Sequence, residues 1–171
     1  TRYVKNMLFK SHGITPSGEL TLKEMLMYLG YNEIRRFVSV AALSSIGVSG
    51  VSELYHLSMV RGKFCELIAG KLNLASLSYN AFVCGLFSLL DVILEQPMDD
   101  LIQQISVPGN VADALCLHKG ELFDILNLSL CYEKLSWEET AEICRTLNIS
   151  EFSVIETMQK ATKWADELAV C

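Results

Sequence analysis

Apolar residues in this chain recur at helical steps almost from end to end, and that periodicity constrains its fold more than any other feature. Leu57, Val60, Phe64, Leu67, Ile68 and Leu72 fall on one stripe of a helix, with His56, Lys63, Glu66 and Gly70 on the other side. Nothing reads as a pair of alternating segments joined by a tight turn. The pattern predicts an all-α chain.

Start and stop signals divide it into about ten helices. A short helix is expected over 3–10, then a loop over 11–18 that holds Pro16 and two glycines. Thr21 and Glu24 read as a capping box, in which each side chain satisfies a backbone N–H left open at the helix start. Gly30 is a left-handed stop. Asn32 opens the next helix, which runs to about Ile46. After the flexible turn Gly47–Ser52, helices are expected over 52–72 and, as one apolar central element, over 78–94. Pro97 and Pro108 bracket a short helix with Asp99 and Asp100 in its first turn, where the helix dipole favours negative charge. Helices follow over 110–118 and 121–133. Ser136 and Glu139 form a second capping box for a helix to Leu147, and Ser150 caps the last, which runs to Ala169.

There is no internal repeat, low-complexity tract or polar linker, so residues 1–171 read as one compact multi-helix domain. Of its residues 51% are apolar and 20% charged, which argues against disorder. The apolar excess is assigned mainly to burial, with some docking surface left over. The formal net charge is −6, and the nearest approach to a basic patch is Arg35, Arg36, Arg61 and Lys63. That is too little to hold a nucleic-acid backbone. The longest uncharged run, Leu72 to Leu90, could span a bilayer by length. Asn73, Ser76, Ser78, Tyr79 and Asn80 crowd its first half, so a buried helix is expected instead of membrane insertion. The opening residues do not read as a signal peptide, so none is expected.

Cys65, Cys84, Cys116, Cys131, Cys144 and Cys171 lie at wide, irregular gaps, unlike zinc sites or small disulfide frameworks. They read as reduced thiols acting as small hydrophobes, which points to the cytoplasm. The glycosylation sequons at Asn127–Ser129 and Asn148–Ser150 are then chance matches. No phosphate loop, dinucleotide fingerprint, zinc-protease helix or nucleophile elbow is present. The three histidines, His12, His56 and His118, are far apart, whereas a hydrolytic metal site needs several ligands converging on one point. His56 reads as a solvated imidazole. Asp99–Asp100 and Glu138–Glu139 are explained by helix first turns rather than by acid/base work. On these grounds no catalytic residue, metal or cofactor is expected.

One charge falls in the wrong place. Arg61 lies on the apolar stripe, four residues after Leu57 and three before Phe64. An unpaired buried charge is very costly, so Arg61 is expected to have an acidic partner, and Asp91, alone in the most apolar helix, is the first choice. The alternative is that each side chain reaches solvent along its own apolar stem.

The segments LMYLGYNEIRRFVSVAAL, LSMVRGKFCELIA, FVCGLFSLLDVIL, LSLCYEKLSWEE and ATKWADEL, in that order, resemble the HDOD domain. They are closest to the version that follows an EAL domain in bacterial cyclic-di-GMP signalling proteins. The likeness covers residues 20–168. The family's opening segment is only loosely visible in RYVKNMLF, so the domain reads as clipped at its start. HDOD domains are related to HD-type metal-dependent phosphohydrolases, whose active members carry an adjacent His-Asp dyad on the helix matching GLFSLLD. Carried over, that dyad falls on Ser88 and Leu89, a poor ligand and no ligand. The upstream ligand histidine falls at Leu57, beside His56, which points elsewhere because one residue turns a helix by about 100°.

The resemblance implies a non-catalytic regulatory or output module that docks on a linked EAL domain or another signalling protein, with a homo-oligomer left open. Its candidate contact features are the turn Gly47–Ser52, Arg35, Arg36 and Trp137, although Trp137 also suits a core position at a helix start. Two rivals stand beside it. One is a small-ligand sensor with an apolar pocket between helices. The other is a phosphohydrolase with a rebuilt metal site.

Overall fold

The computed structural model describes residues 52–105 and 107–169. The expected helices over 3–10, 21–30 and 32–46, and with them Arg35 and Arg36, lie outside the described residues. Within them every regular element is helical: α1 (Ser52–Lys71), a 3-10 turn (Ala75–Leu77), α2 (Ser78–Phe87), α3 (Leu90–Leu94), α4 (Met98–Gln104), α5 (Gly109–Cys116), α6 (Glu121–Glu133), α7 (Trp137–Leu147) and α8 (Glu151–Ala169).

α1 is the spine. Its principal neighbours are α2 and α8, and it also packs on α6, while α2 reaches α5 and α6. Of the expected stripe, Val60, Phe64 and Ile68 are buried, and Phe82, Leu86, Ile125, Leu128 and Val154 meet them from the other helices. Trp164 of α8 meets Phe82 edge-on, with ring centroids 6.1 Å apart, a favoured geometry for two aromatic rings. His56 is not simply solvated. Its Nε2 lies 2.8 Å from Asp166 Oδ1, which ties the start of α1 to the end of α8.

α1 and α2 touch backbone to backbone. A Cβ on Gly85 would lie 2.5 Å from the Arg61 carbonyl oxygen and 2.7 Å from the Gly62 nitrogen. Only glycine permits this approach, and it carries Arg61 directly over the end of α2.

The apolar helix expected over 78–94 is broken. α2 stops at Phe87 and α3 starts at Leu90, with Ser88 and Leu89 between. The Ser88 hydroxyl donates to the Gly85 carbonyl oxygen at 2.8 Å, and the Ser88 N–H bonds the same oxygen at 3.3 Å. Leu89 leaves helical geometry at φ −122°, ψ 12°. A serine bonding back onto the preceding turn is a known cause of helix bends. The stretch Ala75–Leu94 is long and apolar enough to cross a membrane by length and composition. In this fold it is interrupted, and Phe82, Cys84, Leu86, Leu90 and Ile93 lie in the core.

The cap at Ser150 forms, its hydroxyl accepting from the Ser153 N–H at 3.2 Å. The box expected of Ser136 and Glu139 does not. Ser136 makes no side-chain cap bond, and Glu139 instead accepts from the Cys131 thiol of α6 at 3.4 Å. A tertiary partner thus outcompetes the local one.

Candidate functional site

Ser88 and Leu89, onto which the resemblance would carry a dyad, sit at the break between α2 and α3, and a cation is packed against Ser88. Arg61 is 8% exposed, and its Nη1 donates to the Ser88 hydroxyl at 3.1 Å. The rest of the guanidinium faces Glu133 at the end of α6. Nη2 donates to Oε2 at 2.7 Å, and Nε donates to Oε1 at 2.9 Å. This forked geometry is the strong form of an arginine–carboxylate pair. Ser129, one helical turn earlier on α6, donates to Glu133 Oε1 at 3.1 Å.

Arg61 therefore has the acidic partner expected of it, but the partner is Glu133 and not Asp91. The break after α2 explains the difference. Asp91 belongs to the first turn of a new short helix and is half-buried, free of the need for a buried counter-ion. Glu133 lies 72 residues from Arg61, and no local spacing points to it. The available sign was a carboxylate four residues after Ser129, a spacing that puts both on one helix face.

The donor set does not suit a metal ion. The Ser88 hydroxyl spends its proton on Gly85 and accepts from a guanidinium, and Leu89 has no donor atom. Arg61 already occupies the Ser88 oxygen that a metal would need. Among the described residues, no three His, Cys, Asp or Glu side chains converge as a metal site. His56 is engaged with Asp166, and Leu57 is half-buried in α1. Below the pair, burial pushes the Cys65 thiol well up, the neighbouring Cys84 and Glu133 add to this, and Arg61 partly offsets it.

Ser88 has a second face, toward a cleft of about 290 Å³ between α3, α4, α5 and α6. Asp91 and Asp99 line it, together with the apolar side chains of Met98, Leu126 and Leu130. The rings of His118 and Phe123 meet at its edge, with centroids 5.1 Å apart. The Cys116 thiol is raised by burial and by its hydrogen bond to Asp99. Trp137 lies elsewhere, at the start of α7, 53% exposed and edge-on to Tyr132 at 5.8 Å.

Two curated proteins are similar to this chain. A cyclic di-GMP phosphodiesterase of Vibrio cholerae, CdgJ, is 32% identical over 148 residues, which are 86% of this chain and 34% of that protein. The uncharacterized protein YuxH of Bacillus subtilis is 28% identical over 169 residues, 96% of this chain and 40% of that protein. The chain thus spans between a third and two fifths of the length of these relatives. No protein-family model and no solved structure matches it.

Proposed function

We propose that this chain is a non-catalytic regulatory module of bacterial cyclic-di-GMP signalling, of the HDOD type, working in the cytoplasm on a linked EAL domain or another signalling protein. The observation that carries this reading is the Arg61 guanidinium held against Ser88 by Glu133. Where active relatives of the HD type carry a metal-binding dyad, this chain has a protein cation locked by its own carboxylate. The similarity to CdgJ supports the signalling context, and most of that protein lies outside the match, which leaves length for a catalytic domain elsewhere in it.

The mechanism is a docked helical face whose contacts differ between two states of the partner, because only differential contacts shift an equilibrium. The deciding experiment is elemental analysis of the purified chain for iron, manganese and zinc, paired with hydrolysis of bis(p-nitrophenyl) phosphate. Metal well below one ion per chain and no hydrolysis are expected. One or two tightly held ions with turnover would overturn the reading in favour of the phosphohydrolase. The sensor reading is favoured by a separate observation, the cleft beside Ser88.

A further inference from the structure

We propose that the cleft between α3, α4, α5 and α6 is a binding site for a small organic ammonium ion with an apolar body. The site goes beyond the signalling reading and stands independently of it.

Three features of the cleft converge on that chemistry. The first is charge. Asp91 and Asp99 both line it, and no Lys or Arg does among its described lining residues. Anionic metabolites, phosphates and carboxylates are disfavoured there by two like charges, while a single ammonium group is drawn in. The second is the wall. Leu126 and Leu130 of α6 and Met98 of α4 supply an apolar surface for a hydrocarbon body, and about 290 Å³ accommodates a ligand of roughly ten non-hydrogen atoms. The third is the aromatic edge. His118, held at φ +54° after α5, places its ring against Phe123 at 49°. Phe123 thus contributes an aromatic ring to the lining, the kind of group that attracts a cation. Apolar wall, aromatic face and carboxylates together are the chemistry that recognises an ammonium head on an apolar stem.

A free metal cation fits less well. The described residues hold no converging set of three ligands, and Leu126 and Leu130 in the lining offer a metal nothing to bind. The site also has an internal contact. Ser88 borders the cleft and accepts from Arg61, which connects the lining to the ion pair joining α1 to α6.

The test uses the 171-residue chain and three probes of nearly one shape: phenethylammonium, the neutral 2-phenylethanol and the anionic 3-phenylpropionate. Binding is followed by amide chemical shifts in two-dimensional NMR. Phenethylammonium is expected to bind with a millimolar Kd, at least about tenfold tighter than the alcohol, with the largest shifts at residues 91, 99 and 123–130. The anion is expected to show no saturable binding. Asp91→Asn and Asp99→Asn keep the shape and should each weaken the ammonium probe several-fold while leaving the alcohol unchanged. The probe comparison on the unaltered chain decides the matter even if a variant fails to fold. Equal binding of ammonium and alcohol, shifts mapping elsewhere, or no saturation by about 20 mM would each overturn the assignment.

Discussion

Gly85 faces the Arg61 backbone so closely that a Cβ there would lie 2.5 Å from the Arg61 carbonyl oxygen. Neither neighbour is a flexible side chain, so the helices must part to admit a methyl group. Gly85→Ala is expected to destabilise the chain by about 1–3 kcal/mol, the usual cost of overpacking, net of a helix-propensity gain below about 1 kcal/mol. Gly70, near the end of the same α1, has nothing within 4 Å of an added Cβ. Gly70→Ala is therefore expected to stabilise by about 0.5 kcal/mol. Urea unfolding of the two variants checks the pair, and a neutral Gly85→Ala would show that α1 and α2 do not meet as described.

The side chains of Arg61 and Glu133 are 10% and 22% exposed, so their pairing is only partly screened by water. Glu133→Ala leaves a guanidinium with no acid and the buried Ser129 hydroxyl without its acceptor. A cost of about 3–5 kcal/mol is expected. Replacing both partners by apolar residues, Arg61→Met with Glu133→Leu, should cost less than the sum of the single changes. A coupling above about 1 kcal/mol in the double-mutant cycle is the expected readout. Additive costs would mean the pair contributes only as two separate side chains.

The sequence made Arg61 legible because burial of a charge is a periodicity argument, and periodicity is local. The identity of its partner was not legible, since Glu133 reaches it through the packing of α6 on α1. The break at Ser88 was hidden for a related reason. GLFSLLD has helical apolar spacing throughout, and what interrupts it is a serine hydroxyl folding back onto Gly85, in a turn also pressed by Arg61. Element ends were clearer. Ser150 and the prolines at 97 and 108 carry backbone constraints that act within a few residues. The cleft beside Ser88 could not be read at all, because Asp91, Asp99, His118 and Phe123 share no spacing and meet only once α3 to α6 are packed.

Glu156 on α8 accepts from Lys160 at 2.9 Å and from Lys71 at 3.3 Å. Both hold its carboxyl below the ordinary value of 4.5. A depressed folded-state value means the stabilisation is present above pH 4.5 and is lost as pH falls through the lowered value. The stability difference between the unaltered chain and Glu156→Gln should be flat at higher pH, shrink below pH 4.5, and diminish in high salt because the site is open to solvent, with 41% of the Glu156 side chain exposed. A difference that persists at acid pH would assign the effect to packing of the side chain rather than to its charge.

Cys65 and Cys84 are buried free thiols where α1 crosses α2. Burial pushes Cys84 from 9.0 up to about 12, and Cys65 moves in the same direction. Reaction requires the thiolate, so neither should alkylate with iodoacetamide in the folded chain, while the half-buried Cys116 reacts first among the described cysteines. Mass spectrometry of the time course checks this order. The same shifts set the alkaline limit of the fold. With the folded value raised, the stability each buried thiol contributes is fully present below pH 9.0. It is lost as pH rises toward about 12, because the unfolded thiols ionise first. Urea midpoints should therefore hold steady up to pH 9.0 and fall above it. Cys84→Ala should make that alkaline fall shallower even though the cavity lowers stability at neutral pH. An unchanged alkaline slope in Cys84→Ala would place the pH sensitivity on other groups.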